Sequence, residues 1–386
     1  MNIWSSDLFE KYIYKVLVLV VFGAYVYIFT CQIYRNIQFE NGYTFGDWLI
    51  NYEDGGFKRR GLSGSFFIFL FDNLKIDIKN SVFVFQFLLN LIFIGCFSLL
   101  LLKKKVSLNF LILILSPCTF LFFFNELGSI GRKEIIIYSC YAFYLFRFSN
   151  TRLSIWKVFF PFIFVVPLAI LFHELFFFYS PFFLVPLFTT EKHRFSLRDK
   201  FTVIFVFFVI SVSTMFLLFF YGGEINQGSS FNILEARGVS KGMRQLGNMG
   251  ILTWNDNFDK IAYFVNNDYY KYLITLLLGF LTFYFAIISR RFKINRKEFI
   301  FTFILTFLCS LPVYILAIDW GRWINIHFVL LLIFFGSAIK GHGKSSEIGD
   351  KKMLIYLAFA LLLLLFWRFE LVDKGFFISE FIFKVV

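Results

Sequence analysis

Acidic residues, histidines and paired cysteines are scarce in this chain, and each shortage removes a class of function. Acids number 25 against 38 Lys and Arg in 386 residues, and only 16% of positions are charged. An ordinary soluble domain needs a more polar surface than that, so it is excluded. Five cysteines occur without a CxxC pair or a regular ladder of spacings, which speaks against both a disulfide scaffold and a zinc site. His173 has no ligand set around it in sequence, and the neighbouring acids Glu53 and Asp54 are weak grounds for a divalent ion, so no metal and no cofactor is expected. The GHGKS stretch at 341–345 is not a Walker loop, which carries glycine at its first and sixth positions before Lys-Ser/Thr, and no nucleotide site follows from it. The first apolar run lacks a small-residue cleavage site and reads as a retained helix.

What the chain does have is apolar length. Hydrophobic residues make up 59% of it, 63 of them Phe, in runs long enough to cross a bilayer. The expected fold is all-α: a polytopic transmembrane helical bundle of about 11 spans forming one integral-membrane domain over 1–386. Candidate spans lie near 12–34, 81–102, 106–124, 134–149, 156–172, 175–190, 201–221, 270–289, 299–318, 323–339 and 353–369. The net charge of +13 collects in alternate loops, at 103–105, 147–152, 192–200, 290–297 and 340–352. By the positive-inside rule those loops are cytoplasmic, and the basic excess encodes topology rather than a nucleic-acid surface.

The interruptions that break the pattern fall on the opposite side. NYEDGGFKRRG lies in a first outer segment at 35–80, followed by LSGSFFIFLF, which is too short to span and suits an interfacial helix. NELGSIGRKE at 125–134, His173-Glu174, a large outer loop at 222–269 and Asp319-Trp320-Gly321-Arg322 occupy the same face. Charged groups at membrane depth are costly unless paired or facing a wet cavity, so Glu126, Arg132, Lys133, Glu134, His173, Glu174, Asp319 and Arg322 all require a reason. Ion pairs tying helix ends together are one such reason. A convergent polar cavity is the other.

Lys58, Arg59 and Arg60 suit phosphate, because guanidinium forks make paired charge-assisted hydrogen bonds to phosphoryl oxygens; an anchor to lipid headgroups is the alternative. Arg132 and Arg322 belong to the same candidate phosphate-binding set. Arg237, Lys241 and Arg244 have nearly helical spacing and present either a second phosphate site or a solvated charged face. His173 and Glu174 are the sharpest acid–base candidates for removing a proton from an attacking hydroxyl, with Asp54 and Asp319 as alternatives. Such a face suits an amphiphile with a phosphate-bearing head and a hydrocarbon tail.

The motifs GFKRRGLSG, GRKE, HE and DWGR, with the many-span layout and a large late outer loop, resemble bacterial surface-polysaccharide polymerases of the O-antigen and capsule type. That resemblance implies an inner-membrane enzyme joining undecaprenyl-diphosphate-linked oligosaccharides at the periplasmic face. Its arginines would hold diphosphate and an outer acid or His would assist transfer. It also implies contact with membrane lipids and with a chain-length regulator, and none with nucleic acid. Only one long outer loop is evident, where such polymerases often carry two. YED at 52–54, soon after the first span, also resembles glycosyltransferases that use polyprenyl-monophosphate sugars, and a flippase or transporter is the non-enzymatic alternative. Reporter fusions at 103–105, 192–200 and 290–297 are expected to report the cytoplasm and fusions within 222–269 the other side; matching signals from 192–200 and 222–269 would refute the orientation.

Overall fold

In a computed structural model of the protein, residues 6–53, 55–102, 104, 106–189, 194–223, 227–239, 269–288, 292–316, 319–339 and 358–359 are described. Among the described residues the regular structure is helical, apart from two isolated bridges, Lys58 with Gly223 and Phe292 with Ile339. Among the described residues, seven helices are long and apolar enough to cross a membrane. These are α1 (Ser6–Gln38), α3 (Ile78–Leu102), α7 (Ile155–Phe172), α10 (Leu197–Tyr221), α12 (Tyr269–Ile288), α13 (Arg296–Leu316) and α14 (Trp320–Ala338). The helical state follows from the solvent, since hydrocarbon offers no partner to a backbone N–H or C=O and each run must satisfy its own.

The other expected spans take different forms. The run at 106–124 is two short helices, α4 (Leu108–Ile114) and α5 (Phe120–Asn125), parted at Pro117, whose ring removes a donor and disfavours helix in the preceding residue. Backbone groups freed at the break are collected by side chains: the Thr119 hydroxyl lies 2.6–3.1 Å from the carbonyls of Leu113, Ile114 and Ser116, and the Asn325 amide donates to Cys118 and Thr119 at 3.1 Å. The run at 134–149 is α6 (Glu134–Phe148), only 15 residues long. The run at 175–190 is α8 (Leu175–Tyr179), a 3-10 turn (Ser180–Phe183) and α9 (Val185–Phe188), interrupted at Pro181 and Pro186. The expected span at 353–369 lies outside the described residues save for two positions. The stretch expected as an interfacial helix is α2 (Gly61–Leu74), which packs on α3 and α7 with Phe66, Phe69 and Leu74 exposed. Within 222–269 the described helix is α11 (Gln227–Glu235).

Contacts between helix termini sort the bundle into two ends. At one, Asn36 donates to the Ile130 carbonyl, Lys79 pairs with Glu40, the Gly223 N–H donates to the Phe57 carbonyl, and Arg132 meets Asp319. At the other, Lys15 reaches the Leu102 carbonyl, Arg194 binds the carbonyls of Phe148, Asn150 and Leu153, and the Lys293 N–H donates to Ala338. Both interrupted segments therefore carry the chain from one end to the other. At the centre lies α14, buried along almost its whole length and hydrophobic all round, as a helix enclosed by other helices requires.

The NYEDGGFKRRG interruption folds back as its glycines allow. Gly55 and Gly56 take φ of 131° and 114°, Glu53 accepts from the Ser65 hydroxyl at 2.8 Å, and the Gly64 N–H donates to the Ile50 carbonyl at 2.9 Å. A Cβ on Gly64 would run into the carbonyl oxygens of Leu49 and Ile50, whereas one on Gly95 meets nothing within 4 Å. Gly64→Ala is expected to destabilise the fold by about 1–3 kcal/mol, read from unfolding in mixed micelles, with Gly95→Ala as the tolerated control; equal behaviour of the two would refute the close approach.

Candidate functional site

Arg60 precedes α2 in a left-handed conformation, φ 63° and ψ 8°, uncommon for a residue with a side chain. Its Nη2 and Nε lie 2.6–3.0 Å from the Glu174 carboxylate, and its Nη1 donates to Asp47 at 3.1 Å. Glu174 stands in the turn between α7 and α8, and Asp47 in the loop after α1. One guanidinium thus joins three separated segments in the bidentate manner that its fork permits.

Lys133 adds a second tie to Asp47, at 3.9 Å, and lies over the Trp48 ring while Trp48 Nε1 donates to the Gly131 carbonyl at 2.8 Å. Gly131 has φ of 88°, which gives the chain its sharp turn into α6. Glu134 opens α6, where a helix N-terminus favours a carboxylate. It faces Arg322 Nε at 3.3 Å and His173 Nε2 at 3.8 Å. Arg322 binds Asp319 at 2.7 Å, and Asp319 also meets Arg132 at 3.5 Å. Arg59 approaches Glu174 at 3.6 Å. Among the described residues, Arg59, Arg60, Arg132, Lys133 and Arg322 exceed Asp47, Glu134, Glu174 and Asp319 by one charge.

His173 lies on the same network as Glu174 because α7 ends at it. Adjacent residues of a helix diverge by about 100°, but His173 leaves the helix with an extended backbone, φ −158° and ψ 114°, and its Nδ1 comes within 3.6 Å of Glu174 Oε2. Nδ1 also lies 3.3 Å from the Leu175 N–H, which donates to it, while Nε2 faces Glu134 at 3.8 Å, so the ring stands between the two carboxylates. Burial and Arg60 hold His173 below its usual value, which favours the neutral form. Burial alone would raise Asp47 and Glu174. For Asp47 the nearby Lys133 and Arg60 charges outweigh it and bring the carboxyl to about 2; for Glu174 the Arg60 and Arg59 charges hold it well below the ordinary carboxylate range. Burial brings Lys133 down to about 8 despite Asp47 beside it.

Beside this network is a narrow cleft with room for about one or two waters. Its polar wall includes Arg132, Glu134, Arg322 and Asn325, and its apolar wall Tyr25, Phe29, Phe123 and Tyr138. Among the described residues neither Glu134 Oε1 nor Arg322 Nε completes a hydrogen bond. No group of three or more potential metal-ligating residues occurs among the described residues.

Of the residues singled out by sequence, the structure brings together Arg59, Arg60, Arg132, His173, Glu174, Asp319 and Arg322. It holds Arg237 elsewhere, in a bidentate pair with Asp72 in the last turn of α2 at 2.9 Å. Lys58 is buried and its backbone bridges to Gly223. Asp54 and Arg244 lie outside the described residues. Lys133 and Glu134 drew notice from sequence as charges needing a reason, without a role. Asp47 was missed, and its only signal was a lone acid in the apolar stretch GYTFGDWLI.

No protein-family model, curated protein or solved structure matches the chain. The network makes its own test. Asp47 titrates at about 2 when folded against an ordinary 3.8, so its contribution is full above pH 4 and lost as pH falls from about 4 to about 2. That contribution is on the order of 2 kcal/mol. Asp47→Asn is expected to lower stability at neutral pH and to flatten this acid arm in micelle unfolding curves; an unchanged arm would refute the pairing.

Proposed function

We propose that this protein is a polytopic membrane glycosyltransferase that joins glycans carried on a polyprenyl diphosphate, the activity of a surface-polysaccharide polymerase. The observation that carries the reading is the cleft in which two guanidiniums, Arg132 and Arg322, stand beside a carboxylate, Glu134, and an aromatic wall. Glycosyl transfer from a lipid diphosphate calls for cations where the leaving phosphate gathers charge, a base for the acceptor hydroxyl, and an apolar surface for the carrier. Arg132 uses Nε on the Gly128 carbonyl and Nη1 on Asp319, both at long range, with Nη2 uncommitted among the described residues. Arg322 Nε faces Glu134 at 3.3 Å without completing a hydrogen bond. These donors suit phosphoryl oxygens. Arg59 and Arg60, already engaged with Glu174, hold the site together from behind.

In this reading the charged end of the bundle faces the periplasm, the Lys/Arg-rich loops face the cytoplasm, and the chain crosses the bacterial inner membrane about eleven times, with a last span near 353–369. The substrate is an undecaprenyl-diphosphate-linked oligosaccharide, and a chain-length regulator is a further partner. Concentration of the network at one end favours transfer over passage through the bundle, which calls for polar groups along both halves of a path.

The test uses purified protein in nanodiscs with lipid-linked repeat units, following donor binding and product length. Wild type is expected to form new glycosidic bonds. Arg132→Ala and Arg322→Ala are each expected to weaken donor binding by one to two decades, equivalent to about 1.5–3 kcal/mol, and Lys at either position to recover part of the loss. Transbilayer movement of lipid with no new bond would select a flippase, and turnover of monophosphate donors alone would select the other glycosyltransferase class.

A further inference from the structure

Every carboxylate in the network is near a cation, but they are not equally committed. Glu174 is gripped by Arg60 through contacts of 2.6–3.0 Å, and Asp319 is bound by Arg322 at 2.7 Å. Glu174, its charged form so held by Arg60, is a poor proton acceptor. Glu134 differs: it lines the cleft, is only 4% exposed, and its Oε1 completes no hydrogen bond among the described residues. Two groups face that oxygen without closing on it, Arg322 Nε at 3.3 Å and His173 Nε2 at 3.8 Å.

The geometry points to Glu134 as the catalytic base of the proposed transfer, with His173 as the residue that positions it and the cleft as the opening through which the acceptor hydroxyl reaches it. This assignment rests on the transfer reading. The acceptor O–H bond breaks and its proton passes to Glu134 Oε1. The freed oxygen pair forms the new bond to the anomeric carbon, and the bond from that carbon to the diphosphate breaks with its electron pair going to the departing phosphate oxygen. Negative charge thereby moves from Glu134 to the leaving diphosphate. Arg322 borders both: as Glu134 is neutralised, the guanidinium beside it is released from one anion and attracts the other. His173 is suited to positioning because its ring is fixed by the Leu175 N–H and Glu174 at Nδ1 and presents Nε2 to Glu134.

A positional role gives this base a signature. Glu134→Gln removes an anion that competes with phosphate for Arg322, so donor binding is expected to hold steady or tighten while turnover at saturating donor falls by about 10²–10⁴. The probe is undecaprenyl diphosphate for binding and lipid-linked repeat units for turnover, with the full chain in nanodiscs. His173→Ala is expected to lower turnover with the acceptor KM and donor affinity little changed, and His173→Gln, whose amide N–H also reaches Glu134, to restore part of it. If Glu134→Gln does not fold, Glu134→Asp keeps the charge and withdraws the carboxylate by one methylene, and a loss of turnover of about tenfold or more with donor binding retained is expected. Wild-type turnover in Glu134→Gln or Glu134→Asp would overturn the assignment, as would parallel loss of binding and turnover in a folded variant. Failure of wild type to make product would instead refute the transfer reading, since the base assignment is judged only against an active wild type.

Discussion

Arg60 is the contact on which the charged end depends. Its guanidinium joins the loop after α1, the start of α2 and the turn between α7 and α8, segments that no regular hydrogen-bond ladder connects. Breaking a buried pair by removing one partner typically costs about 3–5 kcal/mol, because the remaining charge stays in a poor solvent. The left-handed backbone at Arg60 is sustained by the same contacts: the strain at that position, of order 1 kcal/mol or more, is offset by two carboxylates. Geometry at the cleft inherits this arrangement. Lys133 shares Asp47 with Arg60 and precedes Glu134 in sequence, so the tie reaches the first turn of α6 through one covalent step.

The long helices were legible in the sequence because hydrocarbon leaves the backbone no alternative. Runs such as 201–221 and 299–318 became α10 and α13 nearly as bounded. Runs at 106–124 and 175–190 break at Pro117, Pro181 and Pro186, whereas α7 carries Pro161 and Pro167 and α13 carries Pro312 within continuous helices, so neither hydropathy nor proline alone marks where a run will break. The break at 106–124 is held by hydrogen bonds from Thr119, within it, and from Asn325, about two hundred positions away. Nothing local in the sequence announces the second.

Site residues were legible as exceptions. In a chain so poor in charge, acids and arginines beside glycine are conspicuous, and those at 59–60, 132, 173–174 and 319–322 converge. Their pairing was not legible, since it depends on how helix ends meet. His173 and Glu174 are the instructive case: helical geometry would part them, but an extended residue at the helix end places both in one network. Asp47 escaped notice because a single acid between Phe45 and Trp48 has no partner in its own segment.

The shortness of α6 has a consequence for depth. Fifteen residues rise about 22 Å, against about 30 Å of hydrocarbon in a bilayer. Lipid has little hold on this helix, because neighbouring helices cover it and its buried residues run from Glu134 to Phe148. If its far end is level with one edge of the hydrocarbon, its first residue stops about 8 Å short of the other. The floor of the cleft is then a recess beneath the surrounding lipid phosphates, set within the bundle rather than at its rim.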